Sequence, residues 1–204
     1  MSKDAYTYKT IKGTSQEVLF KDRGSKFYGY AFAVTSEDDI KASLETLKKL
    51  HHTARHFCYA YYLGTSYDTF RANDDGEPSN SAGAPILGQL QAFDVTNCLV
   101  VVVRYFGGTK LGVGGLIQAY KQSARMALET SRIIEIPFET NYLLTFDYAE
   151  MNNVMRLIKQ ESLRIINQES LEKCKLTIAV PDSNASRIVP KLEAMHKIAL
   201  KKLV

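Results

Sequence analysis

Alternating hydrophobic and polar positions predict strands in the first part of the chain. Glu17 to Phe20 and Lys26 to Val34 have this pattern, and the turn-forming residues Asp22 to Ser25 separate them. Two such runs around a short turn predict a β-hairpin. Helical spacing of apolar residues follows from Ser36 to Leu50, where a serine and an acid three residues later form a capping box. We therefore expect a helix directly after the hairpin.

The next segments predict the centre of a sheet. The aromatic run Ala54 to Leu63 is typical of a strand, and Asp68 to Arg71 is a candidate partner strand. Asn97 to Tyr105 contains four consecutive valines without alternation, which indicates a central strand covered on both faces. Between them, the turn formers and acids of 72–83 predict an exposed loop, and Pro85 to Ala92 a short helix.

The pattern after residue 131 predicts a second, small domain. A helix is expected to end near Ser131, and Pro137 interrupts the chain shortly afterwards, so we place the domains at 1–134 and 135–204. Strand, helix, strand, strand, helix and strand then follow in order, which is the βαββαβ or ferredoxin-like arrangement. The predicted fold class is α+β. The six segments are 142–147, 151–158, 163–167, 174–180, 188–195 and 199–204.

Composition and charge narrow the functional classes. The net charge of +4 permits contact with nucleic acid but does not require it. Cys58, Cys98 and Cys174 are odd in number and widely spaced, so we expect buried free thiols. Met1 to Phe20 lacks a signal-peptide pattern, and the longest apolar run, Cys98 to Val103, is too short for a bilayer. The expectation is a cytoplasmic protein without a membrane partner.

A glycine-rich segment is the most specific feature of the chain. It leaves the predicted central strand and enters a helix, where bare amides and the helix dipole can hold a phosphate or another anion. Arg104 and Lys110 could add charge-assisted hydrogen bonds. The spacing matches neither the P-loop nor the dinucleotide fingerprint, so no cofactor is predicted. The alternative is that the glycines only permit turning and close packing. They are Gly107, Gly108, Gly112, Gly114 and Gly115.

Acids and a histidine form a second candidate site. His56 could join Asp74, Asp75 and Glu77 in acid-base chemistry or in divalent-metal binding, provided that the fold brings them together. The alternative is that the acids shape the loop and that His56 is an ordinary strand residue. Because the segment lacks the spacing of metal ligands, no metal site is predicted.

Aromatic residues are concentrated on two strands that the pattern makes neighbours. Such residues can form a stacking platform for single-stranded nucleic acid, or they can fill the core of a sheet. Core packing is the favoured interpretation, since aromatic residues are enriched in any strand. The residues are Tyr59, Tyr61, Tyr62, Tyr67 and Phe70.

Five motifs in sequence order resemble the YigZ/IMPACT family in its bacterial two-domain form, and the resemblance covers nearly the whole chain. The motifs are Ala54-Arg55-His56, Asn73-Asp74-Asp75-Gly76-Glu77-Pro78, Ala82-Gly83-x-Pro85, Arg104-Tyr105-Phe106-Gly107-Gly108 and Leu111-Gly112-x-Gly114-Gly115-Leu116-x-x-Ala119-Tyr120.

The resemblance implies a first domain like ribosomal protein S5 domain 2 and a second domain like domain V of elongation factor G. Both comparisons point towards RNA and the ribosome, although fold alone does not fix function. The eukaryotic IMPACT protein regulates translation by competing for an activator of a stress-responsive initiation-factor kinase, a pathway that bacteria lack. No enzymatic reaction comes with the resemblance. The implied shared surface is Arg55, His56, Asp74, Asp75, Glu77, Arg104, Gly107, Gly108, Gly112, Gly114 and Gly115, to which charge alone adds Lys110.

Three functions follow in order of preference. The first is a translation-related regulatory protein that binds RNA, the ribosome or another phosphate-bearing ligand through the glycine-rich loop. The second is a protein-interaction adaptor that binds a protein partner. The third is a metal-assisted enzyme on a nucleotide or phosphoester, with His56, Asp75 and Glu77 as the catalytic candidates. An enzyme is thus the least favoured class.

Overall fold

The computed structural model describes residues 6–67, 69–170 and 172–203, which divide into two compact units. The first unit is Tyr8–Ile136, and the second comprises the chain from Pro137 onward together with the described residues before Tyr8. The division falls two residues beyond the predicted boundary, because strand β7 (Ile133–Pro137) extends to that point. Asp68 and Val204, the outer ends of two predicted strands, lie outside the described residues.

The first unit contains a five-stranded antiparallel sheet in the order β2-β3-β6-β4-β5. The predicted hairpin is confirmed, and its turn consists of Arg23 and Gly24, both with positive φ. Strand β1 (Thr7–Ile11) pairs with β7 in a separate two-stranded sheet. The five strands are β2 (Val18–Asp22), β3 (Ser25–Ala33), β4 (His56–Leu63), β5 (Thr69–Asn73) and β6 (Cys98–Tyr105).

Helices cover both faces of this sheet. Helix α1 (Glu37–Leu50) packs on one face against a core that includes Leu99 and Val101 of β6. Helices α2 (Gly83–Ala92) and α3 (Gly112–Glu129) pack on the other face. The prediction of a central strand covered on both faces is confirmed. The capping box that begins α1 is present as well.

The second unit has the predicted order of elements. Its sheet runs β11-β8-β10-β9, so that β10 lies between β8 and β9 in the split-βαβ arrangement. Buried aliphatic residues, including Leu144, Leu176 and Ile188, form its core. The α+β two-domain architecture is confirmed, whereas the likeness to S5 and elongation factor G stays a prediction. The elements are β8 (Glu139–Phe146), α4 (Met151–Gln160), β9 (Arg164–Ser170), β10 (Cys174–Pro181), α5 (Asp182–Glu193) and β11 (Ile198–Lys202).

Two further expectations concern cysteines and membranes. Cys58, Cys98 and Cys174 are free and buried, as the sequence predicted. Among the described residues, the helices include none with the length and apolar character needed to span a bilayer.

Candidate functional site

The glycine-rich loop begins where central strand β6 ends, and Gly107 packs it against the β2–β3 turn. A Cβ on Gly107 would lie 1.9 Å from the carbonyl carbon of Gly24, so no side chain fits there. The Gly107 amide donates a hydrogen bond to Ser25 Oγ at 3.1 Å. Gly107 therefore has a packing role within the fold, which is the alternative that the sequence left open.

Gly114 differs from the other glycines of the loop. Gly108 and Gly112 have positive φ, and a Cβ on Gly115 would approach Leu111 to 2.9 Å. Gly114 has neither property: it is exposed in the first turn of α3, and an added Cβ would meet nothing within 4 Å. Glycine costs about 1 kcal/mol relative to alanine inside a helix, and contacts among the described residues do not explain why it is present here.

The N-terminus of α3 is positively polarised and open. Its N-cap residue, Leu111, provides no side-chain hydrogen bond, and the first turn contains no acid. The first amides of a helix lack intrahelical acceptors and lie at the positive end of its dipole. Lys110 precedes this turn, is exposed and forms no ion pair with any described residue. These groups together suit an anion.

Arg104 is buried and paired, although the sequence suggested a surface cation. Its side chain is 7% exposed, and Nη1 lies 2.6 Å from Glu77 Oε1. Glu77 also accepts a hydrogen bond from the Tyr120 hydroxyl at 2.8 Å. The Nη2 group of Arg104 lies 3.5 Å from Ser25 Oγ, and its buried Nε has no hydrogen-bond partner among the described residues. Glu77 thus balances the charge of Arg104 inside the fold.

Asp74 holds the acidic loop together. Its Oδ1 accepts hydrogen bonds from the amides of Ala82 at 2.9 Å and Gly83 at 2.8 Å, and its Oδ2 accepts one from the Asn80 amide at 2.9 Å. Helix α2 receives no cap from its own N-cap residue, Ala82. The Asp74 carboxylate therefore takes the place of that cap and fixes the loop that leads into α2.

Asp75 and His56 lie side by side at the beginning of β4. The Phe57 amide donates to Asp75 Oδ2 at 2.6 Å, and His56 Nδ1 lies 2.9 Å from the Asp75 carbonyl oxygen. Because a carbonyl only accepts, Nδ1 is the donor of that bond. The structure brings this pair together, but it directs the carboxylate to the backbone.

The histidine and the three acids of the second candidate site do not converge on one point in the described part of the chain. No group of three histidine, cysteine or acidic residues there is placed to hold a metal ion. Asp74, Asp75 and Glu77 each bind a different internal partner. The geometry therefore favours the interpretation in which the acids shape the loop.

Cys58 and Tyr120 belong to the same buried network. Cys58 Sγ donates to the Asp74 carbonyl at 3.0 Å and lies 3.3 Å from the Tyr120 hydroxyl. Burial raises the pKa of the Cys58 thiol and that of the Tyr120 phenol far above neutral pH. Both groups remain protonated, so Cys58 is not an activated nucleophile.

Two clefts open beside the end of β6, and both include Arg104 and Phe106. One has a volume of about 370 Å³ and is lined by Arg55 and His56. The other has a volume of about 390 Å³ and is lined by Lys110 and Gly112 at the start of α3. The structure thus brings most of the sequence-predicted residues to one region, with Arg55 and Lys110 as exposed cations.

Phe106 is an exposed aromatic residue to which the sequence analysis, although it quoted the motif, assigned no role. It is 57% exposed, whereas Tyr61 and Tyr62 are buried in the cores. The guanidinium carbon of Arg104 lies 5.5 Å from the Phe106 ring centroid and 5.5 Å from that of Phe27. The available signal was an aromatic residue placed between a buried strand and two glycines.

Comparisons with known proteins place these residues in a shared segment. The Impact N-terminal domain model matches residues 23–128, which include both clefts. The IMPACT family member YigZ of Escherichia coli K12 is 33% identical over 188 residues, covering 91% of this chain and 92% of YigZ. YvyE of Bacillus subtilis 168 is 37% identical over 155 residues, covering 76% and 71%. A crystal structure of a hypothetical protein matches with a TM-score of 0.78 at 28% identity, over 98% of each chain.

Proposed function

The chain belongs to the IMPACT family, and on this premise we propose that it is a translation-related regulatory protein that binds RNA, the ribosome or another phosphate-bearing ligand. The observation that carries the binding proposal is the open N-terminus of α3, where Gly114 leaves the backbone bare and Lys110 is unpaired among the described residues. The regulatory part rests on the family resemblance.

A phosphate group suits this helix end on electrostatic grounds. An anion at a helix N-terminus gains about 0.3–1 kcal/mol from the dipole, and a lysine ammonium adds a charge-assisted hydrogen bond. These contributions are small, and the net charge of the chain is only +4. Binding should therefore be modest in strength and should weaken as salt increases.

The acids next to this site do not oppose the proposal. Glu77 is paired with Arg104, and backbone amides surround the Asp74 carboxylate. Their charges are therefore largely compensated before a phosphate arrives. Arg55 is exposed in the adjoining cleft and can add a second contact.

Sedimentation of the native protein with ribosomes through a gradient tests the proposal. We expect co-migration at low salt that is lost at raised salt and after nuclease treatment. Gly114→Ala should weaken co-migration, because its methyl group occupies the bare surface. Gly88→Ala is the matched control, since Gly88 also lies in a helix with nothing within 4 Å of an added Cβ.

Thermal unfolding separates binding from folding in the same variants. Both alanine variants should be as stable as the parent protein or up to about 1 kcal/mol more stable. Migration as free protein under every condition would refute the ribosome as the ligand. If Gly114→Ala and Gly88→Ala co-migrate with ribosomes to the same extent, the N-terminus of α3 is not the contact. Nuclease-resistant capture of a stoichiometric protein would instead support the adaptor function.

A further inference from the structure

Phe106 is an exposed aromatic ring in a fixed position. One side faces the Arg104 guanidinium, which also lies over the buried ring of Phe27 and is held by Glu77 at 2.6 Å. The ring is nevertheless 57% exposed. Because the arginine beneath it is anchored, the ring presents an apolar surface with little ordering cost on binding.

The exposed ring of Phe106 is not part of a hydrophobic core. Phe106 belongs to none of the three hydrophobic clusters of buried residues found in the described part of the chain. Val113, which lines the same cleft, is 53% exposed. An apolar surface therefore adjoins the cationic start of α3, and a ligand that fits both has a flat apolar part and an anionic part.

The cleft has the size and chemistry of a ligand site. Its volume of about 390 Å³ lies within the range of about 300–1,000 Å³ that is usual for small-molecule pockets. Arg104, whose side chain is more than nine-tenths buried, forms part of the wall, and its Nε is itself buried without a hydrogen-bond partner among the described residues. Lys110 and the amides of α3 form the anionic end of the site.

Phe106 borders two clefts, and a cationic side chain lines each of them. Lys110 lines one cleft and Arg55 lines the other, and both clefts include Phe106. A nucleotide whose base lies on Phe106 would find a cation for its own phosphate and another for the next phosphate. This arrangement favours a polynucleotide over a free mononucleotide.

Building on the proposed function, we infer that Phe106 is a stacking platform for an unpaired nucleobase, so that the glycine-rich site takes single-stranded RNA. Stacking on an aromatic side chain needs a base that is free of the duplex. The phosphate of the stacked nucleotide lies at Lys110 and the α3 amides, and the adjacent phosphate lies at Arg55. Duplex RNA cannot offer a base to Phe106.

Fluorescence anisotropy with the full chain tests this assignment. The probe is a short labelled single-stranded RNA, compared with the same strand annealed to its complement and with unlabelled mononucleotide as competitor. We expect Phe106→Ala to lower the affinity for the single strand about 5- to 150-fold, the range for loss of one stacked base. Phe106→Tyr should retain affinity, since it keeps the ring. Tyr148→Ala is the control, because Tyr148 is 77% exposed and lies in the second unit, outside both clefts.

Charge variants separate the phosphate contacts from stacking. Lys110→Gln should weaken RNA binding and reduce the slope of log affinity against log salt by about 0.7, whereas Phe106→Ala should leave the slope unchanged. Arg55→Gln should weaken binding of the RNA but not of the mononucleotide. Lys121→Gln, at an exposed position of α3, is the control for charge alone.

The outcomes distinguish this inference from the function on which it rests. If Phe106→Ala binds single-stranded RNA as tightly as the parent protein while Lys110→Gln binds it more weakly, stacking on Phe106 is overturned. The phosphate site would then still stand. Equal binding of duplex and single strand also overturns it. Mononucleotide that binds as tightly as RNA identifies a free nucleotide as the ligand and overturns the RNA assignment. Absence of binding to RNA, ribosome and mononucleotide alike, or binding only of a peptide, refutes the proposed function as well.

Discussion

Burial changes what a charged side chain can do. Arg104 and Glu77 both appeared to be surface ligands in the sequence, yet their side chains are 7% and 4% exposed and form one ion pair. Removing one partner of a buried pair leaves an uncompensated charge, at a cost of about 3–5 kcal/mol. Substitutions at these two positions therefore report on folding, whereas the proposed function predicts that substitutions of the exposed Lys110 and Arg55 report on binding.

His51 is a buried histidine with a partner on each ring nitrogen. Nε2 lies 2.6 Å from the Tyr30 hydroxyl, and Nδ1 lies 3.0 Å from the Tyr105 hydroxyl. Tyr30 in turn donates to Glu17. Burial lowers the pKa of His51, and the nearby negative charge of Glu17 opposes that effect. The folded protein therefore keeps His51 neutral at a pH where the unfolded chain protonates it.

We expect His51 to make stability depend on pH. Its unfolded pKa is about 6.5 and its folded pKa is lower, so the unfolded state binds more protons and stability decreases as pH falls below about 6.5. When the pH is lowered from above that value to below it, the urea midpoint of unfolding should fall less in His51→Gln than in the parent protein. His52→Gln, at an exposed neighbour, is the control. A variant with the parental slope would contradict the assignment.

At the scale of elements, the acidic loop and α2 form one unit around a single carboxylate. Asp74 accepts three backbone hydrogen bonds, two of which come from the start of α2. In addition, Gly83 lies so close to Asn73 that a Cβ would approach the Asn73 amide nitrogen to 2.6 Å. The loop is consequently a fixed wall of the cleft that contains Glu77.

Asp74→Ala should destabilise the first unit by about 1–3 kcal/mol, because three amides lose a charged acceptor and α2 loses its cap. Asp74→Asn should cost less, since one oxygen can still accept from Ala82 and Gly83. Chemical denaturation measures both effects. Asp38→Ala serves as the control, because the Asp38 side chain is 91% exposed and pairs only with Lys41 among the described residues. Equal costs for Asp74→Ala and Asp38→Ala would refute the capping role.

At the scale of the whole molecule, the two compact units have separate hydrophobic clusters. Two clusters lie on the two faces of the first sheet, and the third belongs to the second unit. The residues that line the two clefts all lie in Tyr8–Ile136. The candidate ligand contacts are therefore contained in the first unit.

Leu176→Ala should affect the second unit alone. Leu176 is fully buried in its core, and truncating a buried leucine costs about 2–5 kcal/mol. Hydrogen exchange measured by mass spectrometry should increase in residues 137–203, while β6 keeps its protection and RNA affinity stays the same. Faster exchange in β6 would show that the two cores are coupled.

Patterns along the chain predicted most of the elements and their order, although the two-stranded β1–β7 sheet has no counterpart among the predicted strands. Short local patterns were enough to predict three features: the β2–β3 hairpin, the Ser36 capping box and the unbroken valine strand. Each of them depends on residues that are close together in the chain. The family motifs likewise located the region that forms the two clefts.

The role of each residue within those motifs, in contrast, depends on the tertiary fold. Position 107 must be a glycine because a Cβ there would collide with Gly24, which lies far earlier in the chain. An added Cβ at Gly114, in contrast, would meet nothing within 4 Å. Arg104 is enclosed and paired with Glu77, while Phe106, two residues later, remains exposed. Burial and pairing depend on residues distant in sequence, so no local pattern could distinguish the residues that build the site from those that face its ligand.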